Sequence, residues 1–244
     1  MTANQDDGGA ASVKRYVRLA AALMLVTVFA GGFGEMYVPS KLLVGSDAAA
    51  TAAHLRESQP LFRAGFAAYL VEAICDIALA WLFFILLRPV HRDLAFLTVL
   101  FGLVSTATFA AAEMVHFSSS LVLRDAAYLS SFTPSQQNTI ALLAVKTYGL
   151  GSGLFMVFYG IAMLIRGALM FRSGYLPKSL GALLVVAGLG FTTRAFLVAL
   201  APRFASSLLL VPMSLAIVSM IVWFLVRGID AAKWDERVRV KLSP

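Results

Sequence analysis

Six stretches of this 244-residue sequence are each apolar for as long as a helix needs to cross a lipid bilayer. A crossing takes roughly 20 mostly apolar residues. The stretches lie near 16–38, 62–87, 93–118, 139–165, 179–201 and 205–227. A bilayer core offers no water to backbone N–H and C=O groups, so such stretches must fold as helices that satisfy them internally. Composition agrees. Hydrophobic residues make up 60% of the chain and charged ones 14%, against roughly 25% charged in soluble domains. A chain this apolar cannot cover itself with polar surface, and the same figures exclude a disordered chain. The expected fold class is all-α: an integral membrane bundle of six transmembrane helices.

Polar punctuation separates the stretches. Arg88-Pro89-Val90-His91-Arg92-Asp93 is a tight turn between the second and third, Arg172 to Lys178 joins the fourth and fifth, and Ala201-Pro202-Arg203 joins the fifth and sixth. After the first stretch, Ser46 or Asp47 is placed to N-cap a short helix through the alanines that follow, and Pro60 should end it. The Ser/Thr/Gln-rich loop 119–137 should be solvated. Residues 1–13 read as a disordered tail, 14–229 as a single six-helix domain, and 230–244 as a cytoplasmic interfacial tail with Trp234 at headgroup depth. The first stretch follows Lys14, Arg15 and Arg18 as a signal peptide's apolar core would, but it is too long for one and reads as a retained first span.

Net charge is +7, from 20 Lys and Arg against 13 Asp and Glu. No soluble basic module is present to hold nucleic acid. The basic residues instead orient the chain. With the N-terminus inside, thirteen Lys and Arg fall on the cytoplasmic side and four, Lys41, Arg56, Arg124 and Arg203, on the other. Positive residues concentrate on the cytoplasmic side of membrane proteins, so both termini are expected there, in the inner (plasma) membrane. Arg63, Lys146 and Arg194 complete the twenty and lie within the spans. The lone cysteine, Cys75, excludes an intramolecular disulfide and a Cys-based zinc site.

Several runs carry a family resemblance. They are Gly45 to Ala53, Leu61-Phe62-Arg63-Ala64-Gly65, Cys75 to Ala80 with Leu87 to Arg92, Tyr148-Gly149, and Arg172 to Gly181. Together they resemble the bacterial membrane family called domain of unknown function 4386, over most of residues 15–228. The resemblance implies a compact multi-helix inner-membrane protein and no activity. Members often carry a histidine just before a Ser-Tyr-Gly in the fourth helix, where this chain has Lys146-Thr147-Tyr148-Gly149. Lysine is not a usual metal ligand, so a metal role at that position is not expected here.

The chemistry lies in ionisable residues inside apolar helices: Glu35, Arg63, Glu72, Asp76, Glu113, His116, Lys146 and Arg194. Each charge at a helix centre costs about 2.5–3.5 kcal/mol, so seven unpaired central charges would cost roughly 15–25 kcal/mol. Four acids against three bases and a histidine suggest pairing. Most fall toward one side of the membrane, with Glu72 near the midplane and Asp76 about 6 Å further on. The candidate ligand-binding set is therefore Glu72, Asp76, Arg194, Glu113, His116, Lys146 and Arg63, lining an outward-facing polar cavity. The alternative for each is structural: Glu35, Arg63 and His116 snorkelling to the interface, and Glu72, Asp76 and Arg194 in buried ion pairs, with Arg63 or Arg194 as the candidate cation.

Two spacings are suggestive. Glu72 and Asp76 are i, i+4 on one helix face, where two carboxylates can share a proton. Glu113-Met114-Val115-His116 is an E-x-x-H, used in pairs by di-iron bundles but present once here. Gly149 and Gly153, and Ala187 to Gly190, read as small-residue packing faces. Tyr148 and Tyr159 read as packing aromatics, and Pro212 as a kink in the sixth helix. The leading function is binding or transport of a small molecule. The alternatives are a membrane-embedded enzyme on a lipid-like substrate, with Glu113 and His116 as acid/base or metal groups, and a non-catalytic subunit of a membrane complex. No motif calls for a cofactor. Expected partners are the lipid bilayer, a small-molecule or lipid ligand, and a second copy or another membrane protein.

Overall fold

The computed structural model describes residues 3–242, with the side chains of 3–10, 152, 241 and 242 left aside. The described residues form helices and turns without a strand. The helices are α1 (Ala3–Gly31), α2 (Val38–Leu42), α3 (Ala48–Glu57), α4 (Gln59–Leu87), α5 (Arg92–Val122), α6 (Pro134–Ser173), α7 (Lys178–Leu200), α8 (Val211–Val226) and α9 (Ala231–Leu242). A π-helical turn, Gly32–Tyr37, links α1 to α2. Six runs are long and apolar enough to cross a membrane: Ala11–Leu42, Gln59–Leu87, Arg92–Val122, Pro134–Ser173, Lys178–Leu200 and Ser207–Val226. This is a multi-pass membrane protein.

The boundaries refine the sequence reading. α1 begins at Ala3, inside the stretch read as a disordered tail, and Val13 and Val17, one turn apart, are fully buried; Met1 and Thr2 of that stretch lie outside the described residues. Asp47 caps α3, its Oδ1 accepting from the Ala50 amide at 2.9 Å. Pro60 sits in the first turn of α4, where its missing N–H costs no helix bond. Pro212 likewise occupies the first turn of α8, so it starts that helix and does not kink it. α6 runs to Ser173 and not to 165; Gly174 follows with φ +77°, a left-handed turn suited to glycine. The last helix, α9, lies in the stretch read as a tail, whose residues 243–244 are outside the described residues.

The chain divides into two compact units. The first comprises Met1–Leu25, Cys75–Ser105 and Phe155–Pro244. A close seam joins α6 to α7 through glycines seven residues apart on each helix. A Cβ on Gly181 would lie 2.5 Å from the Phe171 amide nitrogen and 2.8 Å from the Gly167 carbonyl. One on Gly188 would lie 2.7 Å from the Gly160 carbonyl. Without side chains the two backbones touch. At one end of this unit the Leu86 carbonyl, near the end of α4, accepts twice: from the Tyr175 hydroxyl at 2.7 Å and the Trp234 indole at 3.2 Å. Orphan carbonyls at a helix end need such donors. Burial pushes the Tyr175 hydroxyl up from its ordinary value, so it stays a donor. Trp234, expected at headgroup depth, is 7% exposed and part of the core.

The second unit comprises Val26–Ile74 and Thr106–Leu154. Its core gathers Val38, Leu42, Ala52, Leu55, Phe62, Leu123 and Ala141. The α2–α3 link is pinned by the Val44 amide donating to Thr51 Oγ1 at 3.0 Å, and by Lys146 Nζ donating to the Gly45 carbonyl at 3.0 Å. Here the expected Gly149–Gly153 seam fails at its first member: a Cβ on Gly149 would meet nothing within 4 Å. Gly151 is the packed residue, its Cβ position 2.7 Å from the Ala112 Cβ.

These contacts separate two glycine substitutions. Gly181→Ala must push backbone against backbone and should lower stability by about 1–3 kcal/mol, read as earlier thermal unfolding in detergent. Gly149→Ala, facing open space, should leave the unfolding temperature unchanged or slightly raised.

Candidate functional site

In the second unit, Glu113 and His116 stand one turn apart on α5, and both are buried. His116 Nδ1 lies 3.5 Å from Glu113 Oε2. The imidazole is held between two rings. Tyr148 of α6 stacks on it, with centroids 4.5 Å apart and planes at 19°. Phe62 of α4 meets it edge-on at 5.1 Å and 84°. The Tyr148 hydroxyl donates to Glu113, and Tyr148 also interacts electrostatically with Glu35 and Glu72. The arrangement thus collects an imidazole, a phenol and three carboxylates.

Local sequence explains the placement. Glu35 sits in the π-helical turn, an irregularity frequent at functional sites in helices. The turn's Gly34 lets the backbone approach α4: a Cβ there would be 2.9 Å from the Gly65 carbonyl. Gly31, one turn earlier, faces Glu72, and its Cβ position is 3.1 Å from both carboxylate oxygens. A side chain at position 31 would therefore crowd the Glu72 carboxylate. Gly34, Phe62, Gly65, Glu113 and His116 help enclose a space of about 10 Å³, roughly the room one water needs.

The first unit holds a second charged set. Asp76 of α4 interacts with Arg166 of α6. Arg166 is 6% exposed, hydrogen-bonds Tyr159, and places its guanidinium 4.4 Å from the centre of the Phe83 ring. A desolvated guanidinium over an aromatic face gains cation–π attraction. Arg194 of α7 is half-buried; its Nη1 donates to the Met156 sulfur at 3.5 Å, and its Nε has no hydrogen-bond partner among the described residues.

Of the seven residues read from the sequence, the structure joins Glu113 and His116 directly and brings Glu72 into electrostatic contact with their partner Tyr148. Asp76 belongs to the other unit, and its cation is Arg166, not Arg63 or Arg194. Arg194 also lies in that unit. Arg63 and Lys146 are exposed, and Lys146 is spent on the Gly45 carbonyl. Among the described residues no three His, Cys, Asp or Glu side chains converge as metal ligands would. The sequence reading missed Tyr148, Tyr159 and Arg166. Arg166 is one of the thirteen basic residues that the sequence places on the cytoplasmic side, because the apolar run ends at 165; the helix continues for two more turns and Arg166 is buried.

Comparison with known proteins gives a family and a partial relative. The family described as Domain of unknown function (DUF4386) matches residues 19–228. A protein of Archaeoglobus fulgidus, named only as uncharacterized, is 29% identical over 119 residues. The match covers 48% of this chain and 57% of that relative, so the chain spans little more than half its length. No solved structure matches.

The Gly31–Glu72 contact yields a paired test. Gly31→Ala must displace the carboxylate and should lower stability by about 1 kcal/mol, whereas the neighbouring Gly32→Ala meets nothing within 4 Å and should be silent. Shortening the acid, as Glu72→Asp, in the Gly31→Ala background should recover part of the loss. Thermal unfolding of the parent, Gly31→Ala, Glu72→Asp and the double variant, with Gly32→Ala as the control, checks this, and strict additivity would exclude the contact.

Proposed function

Because the chain belongs to the DUF4386 family, whose description assigns no activity, we propose a function from the geometry. The protein binds a proton at the Glu113–His116–Tyr148 cluster and couples its uptake and release to the binding or passage of a small solute. The observation that carries this reading is the buried imidazole held between two aromatic rings with a carboxylate at its edge. Histidine changes charge near neutral pH. Glu113 and the stacked Tyr148 face are what a charged ring would meet here. Ionisable residues inside membrane helices mark ion pathways and proton relays by default. Glu35 and Glu72 are the flanking carboxylates in this reading. Asp76 and Arg194 stay as ligand candidates in the other unit, while Arg63 and Lys146 fall outside the proposed set.

The size of the enclosed space supports a proton or water at this point in preference to a larger guest. A lipid-like substrate needs room beside Glu113 and His116 that about 10 Å³ does not give. The protein is proposed to sit in the inner membrane with both termini cytoplasmic. With Arg166 removed from the count, twelve basic residues against four still favour that orientation.

The chain has three histidines, and His54 and His91 are both exposed. Nitrogen-15 NMR of histidine-labelled protein can therefore follow each ring. Glu113→Gln should change the nitrogen-15 shifts of the His116 ring while leaving those of His54 and His91 unchanged. A His116 signal that Glu113→Gln leaves unmoved would refute the reading.

A further inference from the structure

In the first unit, a groove of about 570 Å³ runs between α7 and α8. It shares no residue with the cluster assigned to proton binding and owes nothing to that reading. Its walls include Leu183 of α7 and Val218, Val222 and Val226 of α8. The three valines repeat every four residues along one helix face, and all three are exposed. Ser179 and Arg227 close one end. α7 starts at Lys178 and α8 ends at Val226, so these two polar residues mark the same end of an antiparallel pair. No carboxylate is among the residues that line the groove.

Dimensions and charge select the occupant. From Arg227 to Val218 the helix rises about 14 Å, close to half of the roughly 30 Å hydrocarbon core. The groove is therefore one leaflet deep, apolar along its length, and cationic at the end where a headgroup would lie. A volume near 570 Å³ is ordinary for a ligand site, which spans about 300–1,000 Å³. We infer that this groove binds one acyl chain of an anionic phospholipid, with the phosphate at Arg227 and the Ser179 hydroxyl. Basic pockets between membrane helices hold anionic headgroups by the same electrostatics. The apolar wall supplies affinity for any acyl chain, and Arg227 supplies the preference for negative charge.

Trp223 lines the groove and reports on it. The full chain is reconstituted in phosphatidylcholine vesicles carrying a small fraction of chain-brominated phosphatidylglycerol or chain-brominated phosphatidylcholine. Quenching of Trp223 is taken as the difference from a Trp223→Phe protein. The glycerol lipid should quench at about fivefold lower fraction than the choline lipid, the weight of one basic residue near an anionic headgroup. Arg227→Gln should bring the two curves together, and Arg239→Gln, a basic change outside the groove, should keep them apart. Equal curves in the unmodified chain would overturn the proposal. So would a preference that survives Arg227→Gln, or one that Arg239→Gln abolishes equally, since general attraction to a basic surface would then suffice.

Discussion

A hydrocarbon layer offers no water to a charged group, and this constraint organises the molecule. Helices alone solve the backbone's share of the problem, because each N–H and C=O finds its partner within the segment. The side chains must solve theirs one at a time. In the first unit Arg166 is desolvated among Asp76, Tyr159 and the Phe83 ring. In the second, three acids are set around one phenol, beside an imidazole enclosed by rings. The two solutions differ in kind. In the first a guanidinium is set against a carboxylate; in the second an imidazole stands beside a carboxylate, the pair on which the proposed proton binding rests.

Glycine makes both arrangements feasible. Gly31 leaves room for the Glu72 carboxylate, and Gly34 and Gly65 let the helix backbones on either side come together. Gly160, Gly167, Gly181 and Gly188 do the same for α6 and α7. Lipid provides little hydrophobic drive for helices to associate, so close backbone contact and interhelical hydrogen bonds have to supply it. The double acceptance at the Leu86 carbonyl is one such bond pair, tying α4, the turn after α6, and α9 at a single atom.

How far this was legible in the sequence varies by feature. The six spans were, because length and apolarity are local properties that the bilayer reads directly. The α3 cap was, since Asp47 and the following alanines act within one turn. Glu113 and His116 were also legible as a pair, being one turn apart on one helix. Arg166 was not. Its charge partner, Asp76, comes from α4, and its hydrogen-bond partner, Tyr159, looked like packing, so the sequence around it signals neither. Tyr148 escaped for the same reason: an aromatic in an apolar helix reads as core until its hydroxyl is seen beside Glu113. The choice between Gly149 and Gly151 as the packed glycine depends on which side of α6 meets Ala112, a tertiary fact. The π-helical turn has no sequence rule of comparable reliability, although its glycines and its acid stand in plain view.

The account rests on Glu113 and Tyr148 acting as one coupled unit beside His116. A double-mutant cycle of Glu113→Gln and Tyr148→Phe, scored by stability in detergent, measures that coupling directly. The account predicts that the double variant departs from the sum of the single ones by about 0.5–3 kcal/mol, as residues in one hydrogen-bonded network do. Effects that add to within about 0.3–0.5 kcal/mol, as for independent sites, would contradict it.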